Sequence, residues 1–196
     1  MAIRFQYNKV SLQDMQKQLK VRLDTLPILK FKEAILRAEA EKAKKKAAEL
    51  ESIISTKMKA NEYMDSLWRE FPHNVIVVKA IKTSFKNIAG VNIPQLEAVD
   101  FELKPLCLFN LPYWTLDGIL LIQELVRLRI EKKAILTRTE LLEETRKKTT
   151  QKVNLYEKVQ VPGYEDAISK IIKFMSDEES LGKAVQKIMK KRILSI

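Results

Sequence analysis

The sequence is poor in the residues that punctuate a chain and in those that catalyse. It has four glycines, one cysteine and one histidine among 196 residues. A glycine-rich phosphate loop needs glycines that are not there. A single cysteine, Cys107, excludes an internal disulfide, and between Leu106 and Leu108 it reads as a small apolar filler. One histidine, His73, beside one cysteine excludes a His/Cys metal site within the chain. No metal or other cofactor is expected. No apolar run approaches the ~20 residues of a membrane span, the densest being Ile119–Ile122. The N-terminus lacks the apolar core of a signal peptide, so a cytoplasmic location is the default expectation.

What the sequence has is helical periodicity. Ala43, Ala47, Leu50 and Ile54 recur at alternating spacings of four and three. Leu12, Met15, Leu19, Leu23 and Leu26 precede them on one face, and Phe31, Ile35 and Ala38 continue it. That spacing is the signature of a coiled-coil seam. Ser11, with Asp14 after it, reads as the cap of a helix over 11–71. Pro27 lies inside and predicts a kink, because proline removes a donor and crowds the preceding turn. About 60 residues at ~1.5 Å each predict a helix of ~90 Å. Alanines crowd its middle and predict a narrow waist where helices approach closely.

From Val75 the period falls to two, through Ile81, Thr83 and Phe85 and again through Val99, Phe101 and Leu103. A turn signal stands at Ala89-Gly90, so residues 75–104 read as a β-hairpin. Two strands alone are marginal, so the hairpin should rest on a helix or a partner. Residues 105–114 read as a packed connector, with Phe109, Tyr113 and Trp114 as core.

Thr115 then caps a second helix over 115–192, with a kink near Pro162-Gly163. Its seam runs through Leu125, Leu128, Ile135, Leu142 and Val153, then Ile168, Ile171 and Met175. Polar residues at Thr139, Arg146 and Thr149 interrupt it; they fix register or mark where a partner chain lies alongside. The expected fold is mainly α, a single elongated domain over 1–196. In it a long antiparallel two-helix coiled coil carries a short β-hairpin in the middle of the chain. Its seam on the first arm is Leu19, Leu26, Ile35, Ala43, Ala47, Leu50 and Ile54.

Net charge is +11. Basic clusters at Lys42–Lys46, Arg146–Lys148 and Lys187–Arg192 all lie within helical patterns and read as solvated faces. No groove-reading motif and no interleaved aromatics accompany them, which argues against nucleic acid. Carboxylates stand as i to i+4 partners of lysines, which is surface chemistry, so no enzyme activity is expected.

The stretches NKVSLQDMQKQLKVRLDTLPILKFKEAIL and KKTTQKVNLYEKVQVPGYEDAISKIIKFMSDEE together resemble the D subunit of the V-type and archaeal A-type rotary ATPases. The first carries the family's Leu-Lys-x-Lys core as Leu29-Lys30-Phe31-Lys32, with Leu36 after it. The second carries its Val-Asn element as Val153, Asn154, Leu155, Tyr156 and Glu157, followed by Val161-Pro162. The likeness is concentrated in residues 8–40 and 145–192. Pro27 and Gly163 look more like bacterial or archaeal members.

The resemblance implies a central rotor stalk, a non-catalytic subunit of an ATPase or ATP synthase peripheral to a membrane. It would transmit torque between a hexamer of A and B subunits and a membrane proteolipid ring, coupling ATP hydrolysis or synthesis to H⁺ or Na⁺ transport. Implied partners are the F subunit on its side, the catalytic A and B subunits, and a funnel-shaped C/d subunit at its foot, with no nucleic acid and no direct membrane insertion. The periodicity alone also fits a free-standing coiled-coil scaffold, and the charge a basic nucleic-acid-binding helical protein.

Overall fold

A computed structural model describes residues 3–64, 66–72, 75–105 and 112–194. Cys107, His73, Phe109 and most of the expected connector lie outside the described residues. The described chain forms α1 (Lys9–Ala60), β1 (Ile76–Ile88), β2 (Val91–Leu103), α2 (Thr115–Leu155) and α3 (Val161–Leu194). Contacts divide it into two compact units, one of Met1–Glu33 with Lys148–Ile196 and one of Ala34–Lys147. It is mainly helical with a β-hairpin in mid-sequence, as the periodicity predicts.

In the unit Ala34–Lys147, two apolar clusters join α1 to α2. Ala43, Ala47, Leu50 and Ile135 are buried together, with Leu128 packed against them. Leu36, Ala40 and Leu142 form the other cluster with Val91 and Ile93 of the hairpin. The seam therefore passes through Leu36, which is fully buried, and leaves Ile35 half-exposed. Reading the stripe through Ile35 placed it one residue out of phase, because Ile35 and Leu36 are equally apolar and only the continuation 36, 40, 43, 47, 50, 54 separates them. The alanine at position 40 leaves room for the hairpin's Val91 and Ile93, so at that point small side chains seat a strand as well as narrow a waist.

Ion pairs flank this seam and give its direction. Lys57 pairs with Glu124, Glu51 with Lys132, and Lys44 with Glu143. As one number falls the other rises, so α1 and α2 run antiparallel here. Lys46–Glu131 at 3.0 Å and Arg138–Glu39 at 2.7 Å complete the set.

The hairpin is antiparallel, with Ile88 opposite Val91 and Ile76 opposite Leu103. Its two-residue loop puts Ala89 at φ 50° and Gly90 at φ 79°. Positive φ at both positions matches the right-handed twist of the strands, and glycine meets that demand without strain. The Asn87 carboxamide oxygen accepts the Gly90 N–H at 3.0 Å. Pro94 sits in β2 opposite Phe85, which a two-stranded sheet tolerates because each strand has a free edge. β2 carries the buried residues Val91, Ile93 and Val99, while β1 is exposed along most of its length.

Three helix ends differ from the sequence expectation. Asn8, not Ser11, caps α1: its side-chain oxygen accepts the Ser11 N–H at 2.7 Å. The helix stops at Ala60 rather than Phe71, because the Asn61 side-chain amide donates to the Lys57 carbonyl at 2.8 Å and closes the last turn. Two 3₁₀ turns follow, Glu62–Met64 and Leu67–Glu70. They bring Trp68 and Phe71 onto Trp114, each ring centroid 6.0 Å away. Gly118 in the first turns of α2 faces that cluster, and a Cβ there would make a tight contact 3.2 Å from the Phe71 ring. Thr115 begins α2 but makes no cap; its hydroxyl is buried without a partner among the described residues.

In the unit Met1–Glu33 with Lys148–Ile196, α1 runs through Pro27 without a break. Pro27 itself is exposed, so its ring occupies the face away from the buried stripe. At the second expected kink the chain forms a π-helical turn, Tyr156–Gln160. The Val161 N–H there donates to the Tyr156 carbonyl, an i to i−5 bond. Pro162 has no N–H for an ordinary α-helical bond, and a wider turn just before it accommodates that loss.

If the seam runs through Leu36, replacing it should cost far more than replacing its neighbour. Leu36→Ala is expected to destabilise by about 2–5 kcal/mol and Ile35→Ala by less than half as much. Chemical denaturation followed by circular dichroism measures both; equal costs would return the seam to Ile35.

Candidate functional site

No group of three or more His, Cys, Asp or Glu residues able to hold a metal exists among the described residues. No described helix is long and apolar enough to cross a membrane. The surfaces with potential for work are the seam, its polar interruptions and the end of α3.

Of the expected seam residues, Ala43, Ala47, Leu50, Ile54, Ile135, Leu142 and Ile171 are buried. Leu19, Leu26, Ile35, Leu125, Leu128, Val153, Ile168 and Met175 are half-buried. The structure adds Leu36, Ala40, Ile119 and Ala167 to the interior. Ile119 and Ala167 were hidden in the sequence by apolar neighbours on several faces of their helices.

The polar interruptions are placed differently from a binding surface. Thr139 and Thr149 are buried at 7% and 6% exposure, and the Thr139 hydroxyl donates to the Ile135 carbonyl at 2.9 Å. A threonine that returns its hydroxyl to its own helix fits an apolar seam without a second chain. Arg146 is half-buried. A partner along this stretch reaches the threonines only through their neighbours.

Within the unit Met1–Glu33 with Lys148–Ile196, Arg22 organises the π-turn. Its guanidinium lies 4.5 Å from the Tyr164 ring centroid, and its Nε donates to the Gln160 side-chain oxygen at 2.7 Å. Lys30 pairs with Glu157 of the same turn at 2.7 Å. Sequence reading did not single out Arg22; its place at a seam position, three and four residues from Leu19 and Leu26, is the signal that was there. Tyr7 packs on Phe174 with centroids 4.7 Å apart, and Gly163 faces Ile3, whose Cδ1 lies 3.1 Å from where a Cβ would stand.

Beyond Met175 the character of α3 changes. Every residue from Ser176 to Ile193 is exposed. Leu181, Val185, Ile188 and Met189 nevertheless keep the three-and-four spacing of a buried face, at 55–68% exposure. Lys187, Lys190 and Lys191 share this segment. An amphipathic helix showing both faces to solvent is the form expected of a segment that enters another protein.

Electrostatics along the helices is that of exposed pairs. Lys44 stabilises the Glu143 carboxylate by hydrogen bond and charge, so the Glu143 pKa is lowered and the Lys44 pKa raised. Glu179 is likewise lowered by Lys183, one turn further along α3. The contribution of Lys44–Glu143 is present at neutral pH. It is lost as pH falls through the lowered Glu143 value and as pH rises through the raised Lys44 value. Titration of the Glu143 carboxyl carbon by NMR should show a midpoint below the ordinary glutamate range, moving back up in Lys44→Met. No movement would mean the pair does not persist in solution.

A protein family described as the D subunit of ATP synthase matches residues 11–191. The chain is 29% identical to a V-type ATP synthase D subunit of Borreliella burgdorferi, over 95% of each chain. It is 30% identical to the V-type ATP synthase D subunit of Chlamydia pneumoniae, over 91% of this chain and 88% of that one. With that of Chlamydia trachomatis serovar A it shares 31% identity, over 86% of this chain and 85% of the relative.

Proposed function

The chain belongs to the family of ATP synthase D subunits, and from that premise we propose that it is the central rotor stalk of a V-type ATPase or ATP synthase. It is a non-catalytic subunit. It carries torque between a catalytic hexamer of A and B subunits and a membrane ring of proteolipid subunits, coupling ATP turnover to H⁺ or Na⁺ movement. The observation that carries this reading is the family match over residues 11–191, joined to a seam of antiparallel helices built for stiffness.

A transmitted torque loads the interface between the two helices. Interdigitated apolar side chains resist such load better than exposed ion pairs, which are worth little each. The proposed seam is the set named from the sequence, with Leu36 replacing Ile35. The exposed end of α3 enters the hexamer, and the F subunit binds the side of the stalk. The funnel-shaped C/d subunit joins its foot to the ring, which makes the chain a peripheral component on the cytoplasmic side of the membrane. The stretch with Thr139, Arg146 and Thr149 is the proposed neighbourhood of the F subunit, with Arg146 as the residue that has surface to offer.

The lysines on the end of α3 suit a bearing lined by acidic groups. Tagged chain purified from its native host should bring down large ATPase subunits and a small partner, identified by mass. Lys187→Glu with Lys190→Glu and Lys191→Glu should reduce the recovered hexamer subunits by about ten-fold or more while the small partner is retained. Recovery of the chain alone, or with nucleic acid, would overturn the stalk reading; undiminished hexamer recovery with the variant would remove the lysines from the bearing.

A further inference from the structure

The hairpin does not close flush against the helices in the unit Ala34–Lys147. A cleft of about 330 Å³ lies between them. Its helix wall carries Lys42, Lys46 and Arg138, and its hairpin wall carries Lys86 with Ile88 and Pro94. Four cations line it against two carboxylates, Glu39 and Glu131. Those carboxylates are already engaged, Glu39 with Arg138 at 2.7 Å and Glu131 with Lys46 at 3.0 Å. Lys42 and Lys86, one on each wall, have no partner among the described residues. The Nε of Arg138 is buried and makes no hydrogen bond among the described residues.

A cleft that holds a buried guanidinium nitrogen without an acceptor and more cations than carboxylates is short of negative charge. We propose that this cleft receives an acidic segment of another subunit of the complex, an aspartate or glutamate side chain accepting from Lys42, Lys86 and Arg138. The proposal rests on the stalk reading and names a contact within it. Two features favour a protein segment over a free oxyanion. The volume is roughly ten times the ~30 Å³ of one water, more than a single small anion fills. The lining is also mixed: Ile88, Pro94 and Leu96 supply an apolar wall for the residue beside the acid, and exposed Phe85 precedes Lys86 just outside. Complementary charge at such a rim sets register and association rate.

Zero-length carbodiimide cross-linking tests this on the complex purified from the host, since it joins a lysine amine only to a carboxylate in direct contact. Mass spectrometry should find Lys42 or Lys86 joined to an aspartate or glutamate of a different subunit. Recovery of that subunit should fall about ten-fold or more in Lys42→Glu with Lys86→Glu, and stay unchanged in Lys45→Glu, which lies outside the cleft. A complex recovered intact, with both lysines unmodified or joined only to Glu39 or Glu131, would overturn the proposal and leave the stalk reading standing. Saturable binding of inorganic phosphate to the isolated chain, seen at the Lys42 and Lys86 amines by NMR, together with no inter-subunit cross-link, would assign the cleft to a free oxyanion and also overturn it. Recovery of the chain without other ATPase subunits would end both readings.

Discussion

The pairing of α1 with α2 depends on apolar burial along a narrow line of contact. In the unit Ala34–Lys147 that line is Leu36, Ala40, Ala43, Ala47 and Leu50 of α1 against Ile135 and Leu142 of α2. This is the contact that buries apolar surface of both helices together, and long helices owe most of their stability to such packing. The interhelical ion pairs lie at the margins of this contact and are exposed; Lys44 and Glu143 keep 50% and 41% of their side-chain surface. Such pairs align the helices and set their antiparallel direction more than they hold them together. The hairpin depends on the same line, because Val91 and Ile93 are buried only where Ala40 leaves them space.

Much of this was legible in the sequence because a three-and-four repeat has one physical solution. The two helices, the hairpin and its turn at Ala89-Gly90 all follow from period and from glycine placement. What escaped was decided partly by contacts distant in sequence and partly by which local cap forms. Ile35 and Leu36 offer equally good seam residues, and only packing against Val91 and Leu142 selects Leu36. No glycine or proline stands between Asn61 and Phe71; the cap by Asn61 and the aromatic cluster with Trp114 accompany the end of the helix. Ser11 is as good a capping residue as Asn8, and the difference lies in which backbone N–H each one meets.

Functional surfaces were less legible than the fold. Thr139 and Thr149 drew notice as polar residues in an apolar stripe, yet a threonine can satisfy its hydroxyl within its own helix and stay buried. The exposed stripe of Leu181, Val185 and Ile188 has the spacing of ordinary seam, and a sequence does not say where the opposite helix stops. Arg22 shows in the sequence only as a seam position, and the basic cleft only as the Lys42–Lys46 cluster. Each is assembled from residues far apart in the chain, Arg22 with Gln160 and Lys42 with Lys86. Just before Pro162 the helix widens into a π-helical turn, which Arg22 and Lys30 contact through Gln160 and Glu157.

A stalk must turn when its motor turns over ATP. The most direct measurement attaches a bead to the hairpin, through Lys79→Cys, in complexes immobilised by their catalytic hexamer. With ATP supplied, the bead is expected to rotate in one direction in steps. Complexes that hydrolyse ATP while the bead only fluctuates would contradict torque transmission by this chain.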